Sequence, residues 1–287
     1  MKPHVYMMVT TTKSDHYTKI ALDSFFANTK LSKLDQFYLI DNDATKNHYS
    51  DNFITIENNE PLCFSKNINK VINLSNDKDI FVLNNDIIFT PNWDNVLKQY
   101  DNIITIPSCN QTHFYQTNEL TLAPTMSLND FSNKFKTLFD IAKYHITNSV
   151  NNFFELKLMP FYAFRLPNKI YNKVGLFDEN FERGGEDVDY RLRCIEQGFS
   201  VKFTNRSYLL HFHGKSTWDS SEEEAETLKR NKLYENVFLQ KWGEDLFHFC
   251  LNSKDYETII KKYQLEKLVQ HQKYSEAINI LLNNRIK

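Results

Sequence analysis

Glycine and proline are scarce in this chain, with six and seven among 287 residues, and no internal repeat or low-complexity tract is present. Cysteine is scarce as well. Cys63, Cys109, Cys194 and Cys250 lie far apart and form no CxxC pair, which argues against a zinc site or disulfide framework and fits a reducing compartment. No stretch reaches the ~18 apolar residues that a membrane span needs. The N-terminal MKPHVYMMVTTTK lacks the long apolar run of a signal peptide. The expected location is therefore cytoplasmic, with any membrane contact peripheral. Neither sign of charge dominates: 34 basic against 36 acidic side chains leave a net charge of -2, so there is no general pull toward nucleic acid or anionic lipid. What remains is an ordinary globular composition, 41% hydrophobic and 24% charged. The length suits one large α/β domain or a domain with a small appendage.

Short apolar runs alternate with helical patterns over residues 4 to about 107. HVYMMVT (4–10), DQFYLIDND (35–43), NFITIEN (52–58), DIFVLNNDIIF (79–89) and NIITIPS read as strands. HYTKIALDSFFANT and CFSKNINKVINLS (63–75) read as helices, and PNWDNVLKQY reads as a helix start with Pro91 in its first turn. This alternation is the signature of βαβ units and a mostly parallel sheet. Ligands of such sheets bind beyond the carboxyl ends of the strands, where Thr10–Thr12, Asp41–Asp43 and Asn84–Asp86 converge. Residues 110–160 read as an insertion with a helical stretch, FSNKFKTLFDIAKYHI. FSVKFTN and SYLLHFHG read as two further strands, and the chain is strongly helical from Glu222, where a helical tail is expected to pack on the main domain or on a partner.

Three stretches carry chemistry. In LNND (83–86), carboxylate and amide oxygens at a strand end suit a hard cation such as Mg²⁺ or Mn²⁺, although Asn and Asp also simply favour turns. In GGEDVDYRLR (184–193), Glu186 and Asp187 follow two glycines that allow a ligand close approach, and a carboxylate there can accept a proton from a hydroxyl. The same acids also suit the first turn of a helix, with Asp189 and Arg193 as an i,i+4 ion pair. In HFHGKST (211–217), a strand would place His211 and His213 on one face, where imidazoles can complete a cation site or be incidental.

Together and in this order, the stretches resemble the family 2 glycosyltransferases of GT-A fold. FYLIDNDAT is similar to that family's nucleotide-binding second strand, and FSKNINKVINLSNDKDIFVLNNDIIFTPNW to the segment running into its D-x-D element. NKVGLFDENFERGGEDVDYRLRCIEQGFSVKF is similar to its acceptor loop and E-D motif, and HFHGKST to its late histidine motif. The GGED element is also similar to one in β-1,4-galactosyltransferases and polypeptide N-acetylgalactosaminyltransferases. The resemblance covers roughly residues 4 to 220.

The resemblance implies a GT-A glycosyltransferase domain at 1–220, Rossmann-like with a mostly parallel sheet flanked by helices, and a C-terminal helical extension at 221–287. It implies a metal-assisted, inverting transfer of a sugar from a nucleotide sugar, UDP-linked by preference, to a hydroxyl of a glycan or lipid-linked saccharide. Asp187 would be the general base with Glu186 beside it. Thr10, Asp41, Asn67 and Asn84 would line the donor pocket, and Asp86 with His211 or His213 would hold Mn²⁺ or Mg²⁺. Asn84 replaces the first acid of D-x-D, leaving the cation site one charge short. Two alternatives stay open. One is a non-catalytic binding module on the same fold, suggested by Asn84. The other is a glycosyltransferase of modified DNA bases, for which Lys134, Lys136, Lys143, Lys202, Arg206 and Lys215 offer a basic face that is as well explained by solvation.

Overall fold

The computed structural model describes residues 2–43, 53–117, 126–148, 153–182, 184–214, 224–251 and 254–285. The N-terminal half follows the expected alternation. Strand β1 (His4–Thr10) leads through helix α1 (Asp15–Asn28) to β2 (Gln36–Asp41) and β3 (Ile54–Glu57), and α2 (Phe64–Leu74) leads to β4 (Asp79–Leu83). Pairings β1–β2, β1–β4 and β2–β3 are parallel. β1 and β4 are almost wholly buried, as their unbroken apolar runs require of strands covered on both faces.

Beyond β4 the chain adds β5 (Ile87–Ile88), β6 (Ile103–Cys109), β7 (Ala163–Leu166) and β8 (Ser200–His211), completing an eight-stranded sheet in the order β3-β2-β1-β4-β7-β6-β8-β5. β7 runs antiparallel to both β4 and β6, β6 and β8 are parallel, and β5 is antiparallel to β8. The sheet is thus mixed, with its parallel part where the sequence pattern is strongest.

Three local expectations are corrected. The run 79–89 is not one strand: Asn84–Asp86 take the chain off β4, and Ile87–Ile88 pair at the far edge of the sheet. PNWDNVLKQY forms turns and one 3-10 turn (Leu97–Gln99) instead of an α-helix. Asn92 there has a φ of 62°, a left-handed start that cannot propagate a right-handed helix, and Trp93 is drawn into the core with Nε1 donating to Thr29 Oγ1 at 2.9 Å. The two strands expected at 199–213 are one twelve-residue strand, β8, whose register against β6 shifts between Pro107 and Ser108.

The insertion contains α3 (Thr112–Thr117) and the 21-residue α4 (Leu128–Asn148). The ring of His145 on α4 stacks on Tyr208 of β8, with centroids 4.9 Å apart and planes at 5°. After β7 come α5 (Asn168–Val174) and α6 (Glu186–Glu196), and among the described residues five helices follow β8: α7 (Glu224–Trp242), α8 (Glu244–Cys250), α9 (Tyr256–Tyr263), α10 (Glu266–Gln270) and α11 (Tyr274–Asn283). The tail shares a second apolar core with the main sheet's helices, in which Phe181, Leu192 and Ile195 meet Phe238, Trp242 and Leu246. The expected boundary at residue 220 lies outside the described residues, as do Lys215 and the side chain of Lys134.

Candidate active site

β1, β2 and β4 end side by side. Thr10 is in register with Asp41, and Met8 with Leu83, so the carboxyl ends of all three open on one edge. Thr12 N–H donates to both Asp43 carboxylate oxygens, at 3.0 and 2.9 Å, tying the turns after β1 and β2 together. Thr10 is fully buried and its hydroxyl bonds that of Thr18 at 2.8 Å, and Asp41 is buried beside it. Asn67, expected to line the donor pocket, sits behind that edge in an amide cluster. Its Nδ2 donates to Asn42 Oδ1 at 3.1 Å and Leu62 O at 3.2 Å, and its Oδ1 accepts from Asn58 at 2.9 Å. Asn67 therefore shapes the end of β2 rather than presenting its amide to a ligand.

The turn after β4 uses its three polar residues in three ways. Asn84 N–H donates to Tyr162 O at 2.8 Å, and its side chain is half-buried. Asn85 is buried and donates to Ser14 Oγ at 2.6 Å and Thr18 Oγ1 at 2.8 Å, fastening the turn to the start of α1. Asp86 points the other way, toward β8, where its Oδ1 lies 3.3 Å from His211 Nε2 and its carbonyl accepts from Phe212 N at 2.9 Å.

His211 is the last residue of β8, and neighbours that sequence reading missed fix it. Asn110 accepts from His211 N at 2.7 Å and donates to its carbonyl at 3.1 Å. The Tyr162 ring stacks on the imidazole at 4.9 Å with planes at 19°. Burial pulls the imidazole down, but the Asp86 carboxylate and a thiol neighbour, Cys109, outweigh it and push it up to about 10. The Asp86 carboxylate thus favours the protonated imidazole, and a cation bound by the pair would take the place of that proton. His213 departs from expectation: β8 ends at His211, and His213 takes a φ of 63°, which ends the alternation that would align the two side chains. Their ring centroids are 5.8 Å apart.

The Gly-Gly turn before α6 explains its own composition. Gly184 and Gly185 have φ of 133° and 83°, a region that a side chain rarely tolerates. Asp189 N–H then bonds Gly185 O at 2.8 Å, opening α6 with Glu186 and Asp187 in its first turn. Both acids lie in the first turn of the helix, as its capping reading expects. They sit at the positive end of the helix, yet their carboxyl groups turn inward. Glu186 Oε2 is out of contact with solvent and accepts no hydrogen bond from a described residue. Burial, with the Asp187 charge beside it, pushes Glu186 up to about 8. Burial also raises Asp187, against backbone N–H groups of Val188, Asp187 and Phe161 that favour its charged form. The i,i+4 pair is present, with Arg193 Nε donating to Asp189 Oδ2 at 2.9 Å.

Phe161 and Tyr162 join the two halves of the site. The backbone of Phe161 bonds Asp187, the carbonyl of Tyr162 holds Asn84, and its ring holds His211. Asn84–Asp86, His211 and Glu186–Asp187 thus gather around one dipeptide at the entrance to β7. Neither residue belongs to a recognisable polar motif. The only sequence signal was their place directly before a strand.

No known family model matches this chain, and no curated protein matches its sequence. Solved structures do match. GalNAc-T7 with UDP, GalNAc and Mn²⁺ superposes with a TM-score of 0.57 at 11% identity, over 97% of this chain and 58% of that one. The mannosyltransferase PcManGT from Pyrobaculum calidifontis, in complex with GDP-Man and Mn²⁺, gives 0.55 at 10% identity, over 91% of this chain and 74% of that one. The fold is GT-A. This chain therefore spans under two thirds of the length of GalNAc-T7, and at such identity the likeness is one of fold.

A divalent cation is the group this fold implies. Among the described residues no three His, Cys, Asp or Glu side chains are gathered to hold one. A carboxylate and an imidazole facing each other at 3.3 Å do fit a hard or borderline ion that takes its remaining ligands from a diphosphate and water. No described helix is long and apolar enough to cross a membrane.

Proposed function

We propose that this protein is a metal-dependent glycosyltransferase that moves a sugar from a nucleotide sugar, UDP-linked by preference, to a hydroxyl acceptor, with inversion. The observation that carries this reading is the gathering of the Asp86–His211 pair and the Glu186–Asp187 pair around Phe161–Tyr162, at the carboxyl edge of a GT-A sheet. Thr10, Asp41 and Asn84 border the donor side of that edge, and a nucleotide sugar laid along it would bring its diphosphate toward Asp86 and His211. A cation held by those two would neutralise charge on the departing diphosphate.

Asp187 takes the proton from the acceptor hydroxyl as that oxygen bonds the anomeric carbon and the carbon–diphosphate bond breaks. Backbone N–H groups of Val188, Asp187 and Phe161 favour its charged form, the form a base needs. Glu186 is raised to about 8, so at neutral pH it carries a proton and can donate a hydrogen bond to the acceptor. One base with no second nucleophile implies inversion. Glycans and lipid-linked saccharides supply suitable hydroxyls.

The test is diphosphate release across a panel of nucleotide sugars with Mn²⁺. One preferred donor is expected, with turnover lost in Asp187→Asn. Absence of both binding and turnover for every donor would refute the proposal. It would favour a non-catalytic binding module, the reading that Asn84 in place of an acid supports.

A further inference from the structure

The C-terminal helices grip the catalytic segment at two points. At one, buried Asp189 of α6 accepts Trp242 Nε1 at 2.8 Å and pairs with Lys241 Nζ at 2.7 Å, and Lys241 also holds Asp178. At the other, two turns earlier on α7, the Tyr234 ring lies against the Gly-Gly turn. A Cβ on Gly184 would come within 3.4 Å of Tyr234 Cδ1. One on Gly185 would come within 3.6 Å of Tyr234 Cδ2 and 3.2 Å of Phe181 Cδ1. Phe238 of α7 packs edge-on against Phe181, with centroids 6.4 Å apart. Tyr234, Phe238 and Trp242 recur at four-residue spacing, so one face of α7 covers the turn and α6 together. Arg230, one turn before Tyr234, is almost wholly buried, and both it and Asp187 act electrostatically on the Tyr234 hydroxyl.

We infer that Tyr234 is a positioning residue for the Glu186–Asp187 pair: its ring clamps the Gly184–Gly185 turn and so fixes the first turn of α6, making α7 part of the site rather than an appendage to it. The catalytic half of this inference rests on the glycosyltransferase reading. The clamp itself rests on packing alone. Both glycines are left-handed, a conformation with wide backbone freedom, so the turn needs an outside contact to hold one geometry. The Tyr234 ring supplies that contact at Gly184 and shares it with Phe181 at Gly185. Once it is removed, the turn should sample other conformations and carry Glu186 and Asp187 with it. A carboxylate misplaced by an ångström loses much of its catalytic effect.

The experiment compares the full chain as wild type, Tyr234→Ala, Tyr234→Phe and, as a control on the exposed side of α7, Leu233→Ala. Amide hydrogen exchange is followed in peptides covering 184–190 and in peptides of β1 and β4. Diphosphate release is measured with the preferred nucleotide sugar and Mn²⁺. Tyr234→Ala is expected to exchange at least tenfold faster at 184–190 with β1 and β4 unchanged. Its kcat should fall at least tenfold while the donor KM stays within twofold, and its pH–rate profile should shift toward lower pH as the acids become wetter. Tyr234→Phe should restore all of these, and Leu233→Ala should match wild type. Unchanged exchange at 184–190, or a uniform rise across all peptides, overturns the clamp. Faster local exchange with undiminished kcat overturns its catalytic part. If wild type turns over no donor, the glycosyltransferase reading fails and the exchange data alone decide the clamp. Should Tyr234→Ala not fold, Tyr234→Leu takes its place with the same expectations.

Discussion

Replacing Glu186 with glutamine should make the protein more stable at alkaline pH than at acid pH, relative to wild type. A buried acid raised from its ordinary 4.5 to about 8 binds its proton more tightly in the folded state. It contributes stability that is fully present below pH 4.5 and lost as pH rises through 8. Taken whole, that shift corresponds to on the order of 5 kcal/mol. Glu186 as a residue is only half-buried, so solvent screening should leave roughly half of it, about 2 kcal/mol. For a chain of this size that is a difference of roughly 4 °C in melting temperature. Glutamine mimics the protonated acid at every pH. The Tm of Glu186→Gln minus that of wild type should therefore rise by that amount between pH 5 and pH 8.5. A constant offset is also expected, because the amide must find partners, so the slope is the readout. Differential scanning calorimetry of the two proteins in matched buffers measures it. A difference that stays flat to within 1 °C would mean that the Glu186 carboxyl is solvated, and the reasoning about a buried acid pair would fail.

Arg165→Met should destabilise the fold by about 3 kcal/mol in urea unfolding, because fully buried Asp79 loses the guanidinium 2.6 Å away. The acid-denaturation midpoint should move up as well. Asp79 is held below its usual range chiefly by Arg165 against the opposing effect of burial, and that stability is lost as pH falls through its folded value. Gly185→Ala should cost about 1–3 kcal/mol, since a φ of 83° is combined with a 3.2 Å approach to Phe181, and a chevron analysis would read the loss. His211→Ala should weaken Mn²⁺-dependent nucleotide binding at least tenfold by calorimetric titration, because His211 faces Asp86 at 3.3 Å; an undiminished affinity would remove His211 from the cation site.

What the sequence made legible was whatever depends on local pattern. β1, β2 and β4 announce themselves as apolar runs, and α2 as a helical stretch between them, because buried parallel strands must be apolar throughout. The Gly-Gly turn was legible because the conformation it needs admits little else. Ile87–Ile88 were illegible as a separate strand, because two residues carry no periodicity and only their pairing with His211 and Leu210 defines them. The reach of β8 depended on its pairing with β6 across a register shift at Pro107–Ser108, a long-range event. The supporting cast of the site was hidden for the same reason. Asn110 fixes His211 from 101 residues away, and Tyr234 reaches Gly184 from a helix that no motif marks. Asn67 shows the converse: its type and place suit a ligand contact, but three hydrogen bonds within the protein use its amide.

The acid pair also bears on the choice between an enzyme and a binding module. Two adjacent carboxyl groups turned inward at Glu186 and Asp187 disfavour folding near neutral pH, since burial opposes the charge of both and the Asp187 charge opposes that of Glu186. A scaffold under no catalytic demand gains stability by replacing either one, because most such strain is removed by a single substitution. The surrounding structure does the opposite. It spends a left-handed Gly-Gly turn, the backbone of Phe161 and a face of α7 on keeping the two acids in place. Local cost sustained by several converging elements is the pattern expected of a working site. On this reasoning Glu186→Gln should raise the melting temperature at pH 8 while lowering turnover, and a variant that gained stability with no loss of turnover would count for the binding module.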